Sequence, residues 1–516
     1  MPDLTDVPDR SAGAAGSTRP AVSAPPARSD HGGHDRASTH ALRLPAGSRL
    51  LLLVVALVVY GASPVVQNTD SYLTVPTAQS LLTDGDFDLG DLDAPLVADH
   101  YGITTDDDGA PVSIYPWTGS LPHLPAIVAV DAAHALSIGP GTTELIEDDA
   151  MGGLQLATAS ALTALVVMLV GMLAFERLSG DVRRRRFLAI AIALVFAFGT
   201  GAWSTTSRAL WQHAPVLLAL AIATLMAQRL ALEPDATRSN RRAVVMGAAL
   251  AYAYTVRPTS ALAFVALTGW IVWQRRTRLG ALLGGAAAVA LPWFVVNAVA
   301  FGTLLPPYHR GKLPQSTGQA SFALHADYLE ALAANLVSPA RGLLVHTPLV
   351  VLAVFGLVLT PRTLRPLDRV LAACVVAHLL VISGLRSGWW GGFSYGARYW
   401  SDMLVFLTLL AVPAVDRLAA AWRTRPRAAS TRVAAATCVT ALVVGVAMSS
   451  QGALSKATLC WNDRWEDEAT VDEEPSRIWS WTDPQFLAGI ETLTDTGSLR
   501  EATVGRCEKA TAVGTR

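Results

Sequence analysis

Long apolar runs separated by short polar connectors dominate the chain. They fall near residues 48–67, 151–177, 187–207, 211–231, 243–257, 259–274, 279–301, 341–360, 369–385, 401–420 and 431–449. Most are roughly 17 to 25 residues long, the length that carries an α-helix across a bilayer. With no water to satisfy the backbone inside a membrane, such runs must be helical. The pattern predicts an all-α polytopic protein with about 11 transmembrane helices. The run 243–257 is short, and "TVRPTS" (Thr255 to Ser260) interrupts it. Pro258 has no N–H to continue a helix ladder, so two helices should meet at Arg257–Pro258.

Composition agrees with this pattern. Of 516 residues, 52% are hydrophobic and 16% charged, with mean hydropathy +0.37, against about 25% charged in a soluble domain. Residues 1–45 are rich in Ala, Ser, Pro, Gly, Asp and Arg and predict a disordered tail. Their "SDHGGHDRASTH" stretch reads as solvated low complexity, not as a metal site. The first apolar run has no A-x-A cleavage signal, so it is expected to remain as a span.

The arginine-rich runs at 183–186, 238–242, 274–278, 361–369 and 423–427 occupy alternate connectors. Basic short connectors mark the cytoplasmic side, so a plasma-membrane protein with a cytoplasmic N-terminus is expected. As connectors between spans they are not nucleic-acid patches. The transmembrane unit then covers 46–449. The opposite side receives 68–150, 302–340, 386–400 and a C-terminal tail, 450–516. The first of these loops is long and strongly acidic over 83–109. Within it, a helix after Asp70 with Tyr72, Val75, Leu81 and Leu82 on one face should lie along the membrane surface. Residues 121–136 should form a second surface or re-entrant helix. Of the four cysteines, Cys460 and Cys507 share the extracytoplasmic tail and are candidates for a disulfide.

Polar residues gather at the same face. Asp70 follows the first span. Arg208, Trp211 and His213 lie in the turn between the third and fourth, and Arg257 between the fifth and sixth. Arg341 and His346 enter the eighth, and Trp390, Tyr395 and Arg398 precede the tenth. Ionisable groups at membrane depth are expensive and point to function. Arginines clamp phosphate through forked hydrogen bonds. A carboxylate accepts a proton from an attacking hydroxyl. Trp211, Trp390, Tyr395 and His213 are candidate substrate contacts, while Trp203, Trp211, Trp389, Trp390 and Trp400 all suit an aromatic belt. The chain has no G-x-G-x-x-G after a strand and no P-loop, so a soluble nucleotide donor is not expected.

"NTDSYLTVPTAQSLL", "SIYPWTGSLPHLPAI", "YTVRPTSAL", "SPARGLLVHTP" and "GGFSYGARY" occur in this order. Together with the acid after the first span and the long first loop, they resemble the GT-C glycosyltransferases, such as the protein O-mannosyltransferases and the lipid A aminoarabinose transferase. The resemblance covers roughly 50–449. It implies inverting transfer of a sugar from a polyprenyl-phosphate donor within the membrane to an envelope glycan, lipid or protein acceptor. It also implies Asp70 as the catalytic acid–base and a phosphate-binding role that falls best, by position and charge, on Arg257 or Arg398; the clustering at the outer face adds Arg341 and Arg208 as candidate donor-phosphate ligands. Many GT-C members have an adjacent acidic pair, but here Thr69–Asp70–Ser71 stands in its place. That departure speaks against a bound divalent metal, and no other cofactor is expected. The loop 302–340, through "LLPPYHRGKLPQSTGQ" (304–319), is expected to close over the acceptor. A transporter or flippase of an anionic lipid-linked precursor is the rival, but internal repeats and mid-membrane polar residues are lacking.

Overall fold

In the computed structural model, each apolar run carries helix, and the polar connectors decide where the helices start and stop. The structure describes residues 43–310, 324–463 and 469–504, except positions 68, 93, 95, 96, 98, 99, 107, 108, 234, 360, 362, 363 and 387. The first run forms α1 (Ala46–Ala62). The segment before the second run holds α2 (Thr74–Thr83), an antiparallel pair β1 (Ile103–Thr105) and β2 (Pro111–Ser113), α3 (Leu124–Ala135) and α4 (Thr142–Glu147). Next come α5 (Gly152–Arg177), α6 (Val182–Phe198), α7 (His213–Leu232), α8 (Ala236–Val256), α9 (Ala261–Arg275) and α10 (Leu279–Phe301). They are followed by α11 (Tyr328–Val337), α12 (Leu343–His346), α13 (Val350–Leu359), α14 (Pro366–Ser383), α15 (Leu404–Thr424) and α16 (Ala429–Leu454). The short helices α17 (Ala457–Cys460), α18 (Ala488–Thr496) and α19 (Leu499–Val504) complete the chain.

Among the described residues, six helical segments are long and apolar enough to cross a membrane. They are Gly152–Arg177, His213–Leu232, Pro258–Phe301, Pro366–Ser383, Arg398–Thr424 and Ala429–Leu454. This is the make-up of a helical membrane protein.

Local chemistry sets the helix ends. Asp181 caps α6 by accepting the Arg184 N–H at 2.9 Å, and Asp235 caps α8 by accepting that of Arg238 at 2.7 Å. Each aspartate satisfies a donor that a helix start leaves open. α8 stops at Val256. Arg257 is extended (φ −148°, ψ 118°), as the residue before a proline must be, and Pro258 opens one 3-10 turn before α9. α8 and α10 then pack backbone to backbone. A Cβ added at Gly247 would lie 1.9 Å from the Leu282 carbonyl oxygen, and one at Gly285 would lie 2.0 Å from that of Val244. Small residues permit such approach between helices in membranes.

Three expectations need correction. The run 341–360 is not one helix: Pro348 separates α12 from α13, and α13 has 10 residues. At 1.5 Å per residue α13 spans about 15 Å. α2 does not lie on a surface, because Thr74 through Ser80 are all buried. It is the centre of a second apolar core containing Leu73, Val75, Ile127, Ile146 and Met151. α3, in the 121–136 stretch, has 12 residues, too few to cross a bilayer, as expected, and lines that core through Ile127. The aromatic belt also fails: Trp203, Trp389 and Trp400 are buried inside the protein.

The C-terminal residues pack back onto the molecule. Trp461, Val471 and Ile478 form an apolar cluster with Ala331, Ala334 and Trp389. Cys460 is disulfide-bonded, Cys374 and Cys438 are free thiols, and Cys507 lies outside the described residues.

Candidate functional site

Several chain segments at helix ends meet around a polar cavity of about 60 Å³, room for a few waters. Asp70 comes from the turn leading into α2. Trp211, Gln212 and His213 come from the start of α7, Arg257 from the end of α8, and Arg398 and Tyr399 from the turn before α15. Tyr115 of the first loop and Tyr308 of the segment after α10 close two more sides.

Asp70 is ringed by donors. Arg398 Nη1 donates to its Oδ2 at 2.9 Å, the Tyr101 hydroxyl donates to Oδ1, and Tyr115 adds a further hydrogen bond. Burial pushes the carboxyl up, but Arg398 and the two tyrosines outweigh it and hold Asp70 below its ordinary value. Burial and the adjacent carboxylate push Tyr101 and Tyr115 well above the ordinary phenol range, so both remain donors. Asp70 nevertheless keeps 32% of its side-chain surface accessible. Arg398 is held against two aromatic rings, its guanidinium 4.3 Å from the centre of the Trp211 ring and 5.2 Å from that of Tyr399. Such stacking orients an arginine without consuming its N–H groups. The Trp211 indole is itself anchored, donating to the Gln67 carbonyl at 2.6 Å.

A second carboxylate lies behind the wall. Asp402, 1% exposed, accepts from His213 Nδ1 at 2.8 Å and faces Arg257 Nε at 3.0 Å. The two carboxylates and two guanidiniums offset each other. Among the described residues, three polar atoms of cavity-lining side chains lack a partner: Arg398 Nε, Gln212 Nε2 and the Ser71 hydroxyl. Buried polar groups are nearly always satisfied, so unpartnered ones grouped on one cavity mark a place for an oxygen-rich ligand.

The first loop is locked to the bundle by Gln155 of α5, which is fully buried. Its Nε2 donates to the Ser71 carbonyl at 2.7 Å and to the Thr74 hydroxyl at 3.0 Å, and its Oε1 accepts the Leu210 N–H at 3.0 Å. One side chain thus ties the Asp70 turn to the Trp211 turn. Buried His123 continues the network between Thr74 (3.1 Å) and Thr158 (2.9 Å). Burial lowers this imidazole to about 3, so it is a neutral bridge.

Of the residues predicted from sequence, Asp70, Trp211, His213, Arg257 and Arg398 line the cavity. Four others do not. Arg208 is fully buried and donates to the Tyr60 and Ser63 carbonyls at 2.7 and 3.1 Å. Arg341 is spent on the Trp390 and Gly392 carbonyls and on Asn462 and Gln485. Trp390 donates to Asp472 at 2.7 Å, and the Tyr395 hydroxyl donates to the Met448 carbonyl at 2.6 Å. These four hold segments together, away from the cavity. His346 likewise bonds the Pro339 carbonyl at 2.9 Å.

Sequence reasoning assigned no role to Tyr101, Tyr115, Gln212, Tyr308, Tyr399 or Asp402. Asp402 carried a signal, as an acid at the head of an apolar run. The tyrosines carried none. In the loop expected to close over an acceptor, Tyr308 lines the cavity, whereas 311–323 lie outside the described residues. Among the described residues, no group of three or more His, Cys, Asp and Glu could hold a metal ion. No family model matches the sequence, and no curated protein does either.

Proposed function

We propose that this chain is a multi-span membrane glycosyltransferase of the GT-C kind. It would use a polyprenyl-phosphate sugar as donor and work on the face opposite the arginine-rich connectors. The observation that carries the reading is the cavity at the helix ends. There an accessible carboxylate, Asp70, lies beside Arg257 and Arg398, with unpartnered donors on the walls. A phosphodiester sugar needs both kinds of group: donors for the phosphate oxygens, and anionic charge where the anomeric carbon becomes positive.

The charge balance refines the roles. Each arginine already faces a carboxylate, so the phosphate is received by the free donors Arg398 Nε and Gln212 Nε2. Asp70 accepts from Tyr101, Tyr115 and Arg398, which suits it to orient a hydroxyl and to offset oxocarbenium charge. Trp211 and Tyr399 keep Arg398 in place throughout. The donor lipid enters sideways from the membrane. Sugar and acceptor both exceed the cavity's 60 Å³, so binding requires its walls to part.

The test is release of free polyprenyl phosphate. Purified protein in nanodiscs receives a panel of polyprenyl-phosphate sugars and an envelope acceptor extract, alongside an Asp70→Asn variant. Release by the wild type and a loss of at least about 100-fold in the variant support the reading. Equal release by both would remove Asp70 from the reaction.

A further inference from the structure

Transfer of a sugar to a hydroxyl liberates one proton, and Asp70 is poorly suited to receive it. Its two oxygens already accept from Arg398, Tyr101 and Tyr115, and donors to the anion reduce its basicity. The same cavity contains a second candidate.

His213 is 1% exposed yet contributes to the cavity lining. Its Nδ1 lies 2.8 Å from Asp402 Oδ1. An ionised carboxylate only accepts, so Nδ1 carries the hydrogen and Nε2 presents its lone pair. Among the described residues Nε2 has no hydrogen-bond partner, and with Nδ1 engaged by Asp402 it is the ring nitrogen left for a cavity ligand. Asp402 is in turn held at 3.0 Å by Arg257 Nε. The sequence Arg257–Asp402–His213 thus fixes a tautomer and a direction, the arrangement that makes an imidazole a general base.

We propose that His213 Nε2, oriented by Asp402, takes the proton from the acceptor hydroxyl, while Asp70 orients that hydroxyl and offsets positive charge. This rests on the transferase reading above. In the step, the acceptor O–H bond breaks and its proton moves to His213 Nε2. The hydroxyl oxygen forms the new bond to the anomeric carbon. The bond from that carbon to the phosphate oxygen breaks, and its electron pair leaves on the polyprenyl phosphate. The imidazolium then returns its proton to solvent. The charged groups facing the ring are Asp402, Arg257 and Arg398. The other titratable groups near the ring are His378, whose Nε2 bonds the Tyr399 carbonyl at 2.8 Å, and Asp70, Tyr308 and Tyr399 around the cavity. None of these is hydrogen-bonded to His213.

The experiment measures polyprenyl-phosphate release against pH for wild type, His213→Gln, Asp402→Asn and Asp70→Asn. A wild-type rate that falls on the acid side, with the large ionisation enthalpy of an imidazole, is expected. His213→Gln should lose about 100-fold or more in kcat, with donor KM changed less than about threefold, and should lack that acid limb. Asp402→Asn should lose kcat in the same way. The enthalpy is read on the wild type, so the answer stands even if a variant fails to fold. If His213→Gln keeps its rate within about threefold, or the limb has the near-zero enthalpy of a carboxylate, the proton acceptor is not His213. In that case release by the wild type leaves the transferase reading intact. No release from any donor would overturn both.

Discussion

Replacing Gly285 with alanine should separate two helices by a measurable amount. The added methyl would lie 2.0 Å from the Val244 carbonyl oxygen, and real Cβ atoms essentially never approach a neighbour closer than 3.0 Å. The obstacle is backbone, so rotating a side chain cannot relieve it, and α8 and α10 must part by about 1 Å. Overpacking of this kind costs about 1–3 kcal/mol. Gly247→Ala meets the Leu282 oxygen at 1.9 Å and should cost a similar amount. The double variant is the decisive case. The separation made for one methyl admits the other, so the pair should cost less than the sum by more than about 0.5 kcal/mol. Equilibrium unfolding in mild detergent, followed by tryptophan fluorescence, measures all four corners. Activity gives a second reading, because α8 ends at Arg257, ten residues or about 15 Å beyond Gly247. A 1 Å displacement near reacting groups can cost about 100-fold in rate. If Gly285→Ala is as stable as wild type within about 0.3 kcal/mol, or the two substitutions are additive, the helices do not touch there.

Three further outcomes are expected. Gln155→Leu leaves the Leu210 N–H and the Ser71 carbonyl without their buried partner. It should destabilise the protein by about 2–5 kcal/mol, read by the same unfolding assay. Arg208→Ala should reduce folded yield in fluorescence-detected size-exclusion chromatography, because it strips partners from the buried Tyr60 and Ser63 carbonyls. Folded Arg208→Ala protein with normal yield but no turnover would instead place Arg208 in the reaction. Acidification tests Asp70. Its carboxyl is held below its ordinary value, so its contribution is complete above about pH 3.9 and disappears as pH falls through the lower folded value. Wild type should therefore lose stability relative to Asp70→Asn below about pH 4, and parallel curves would contradict the Asp70–Arg398 pairing.

The membrane character and most helix positions were legible because a span needs only apolar length, and Pro258 announces its own break. Asp70, Arg257 and Arg398 were legible because charge is costly near a membrane and stands out. Charge alone, however, does not say what answers it. Arg208 and Arg341 have the same signature as Arg398, yet their partners are backbone carbonyls supplied by folding. The pattern after Asp70 suggested a membrane surface because Tyr72, Val75, Leu81 and Leu82 would share one face of a helix. The first loop instead folds over it, burying Thr74 through Ser80, polar Thr77, Gln79 and Ser80 included. Tyr101 and Tyr115 were invisible, since only the β1–β2 pairing and the turns around it bring them to Asp70.

Asp70 and Arg398 are separated by 328 residues, and that distance has a consequence during synthesis. At about 5–20 residues per second, roughly 16–66 s pass between the ribosome's addition of the acid and of its partner. His213 waits similarly for Asp402, 189 residues later. The first loop can assemble its own core long before then, because the apolar residues of that core all precede Gln155. The nascent protein therefore carries a folded loop whose carboxylate lacks its arginine until the turn before α15 arrives. A product stalled before residue 398 lacks both Arg398 and Asp402, so the polar cavity is complete only in chains translated past Asp402.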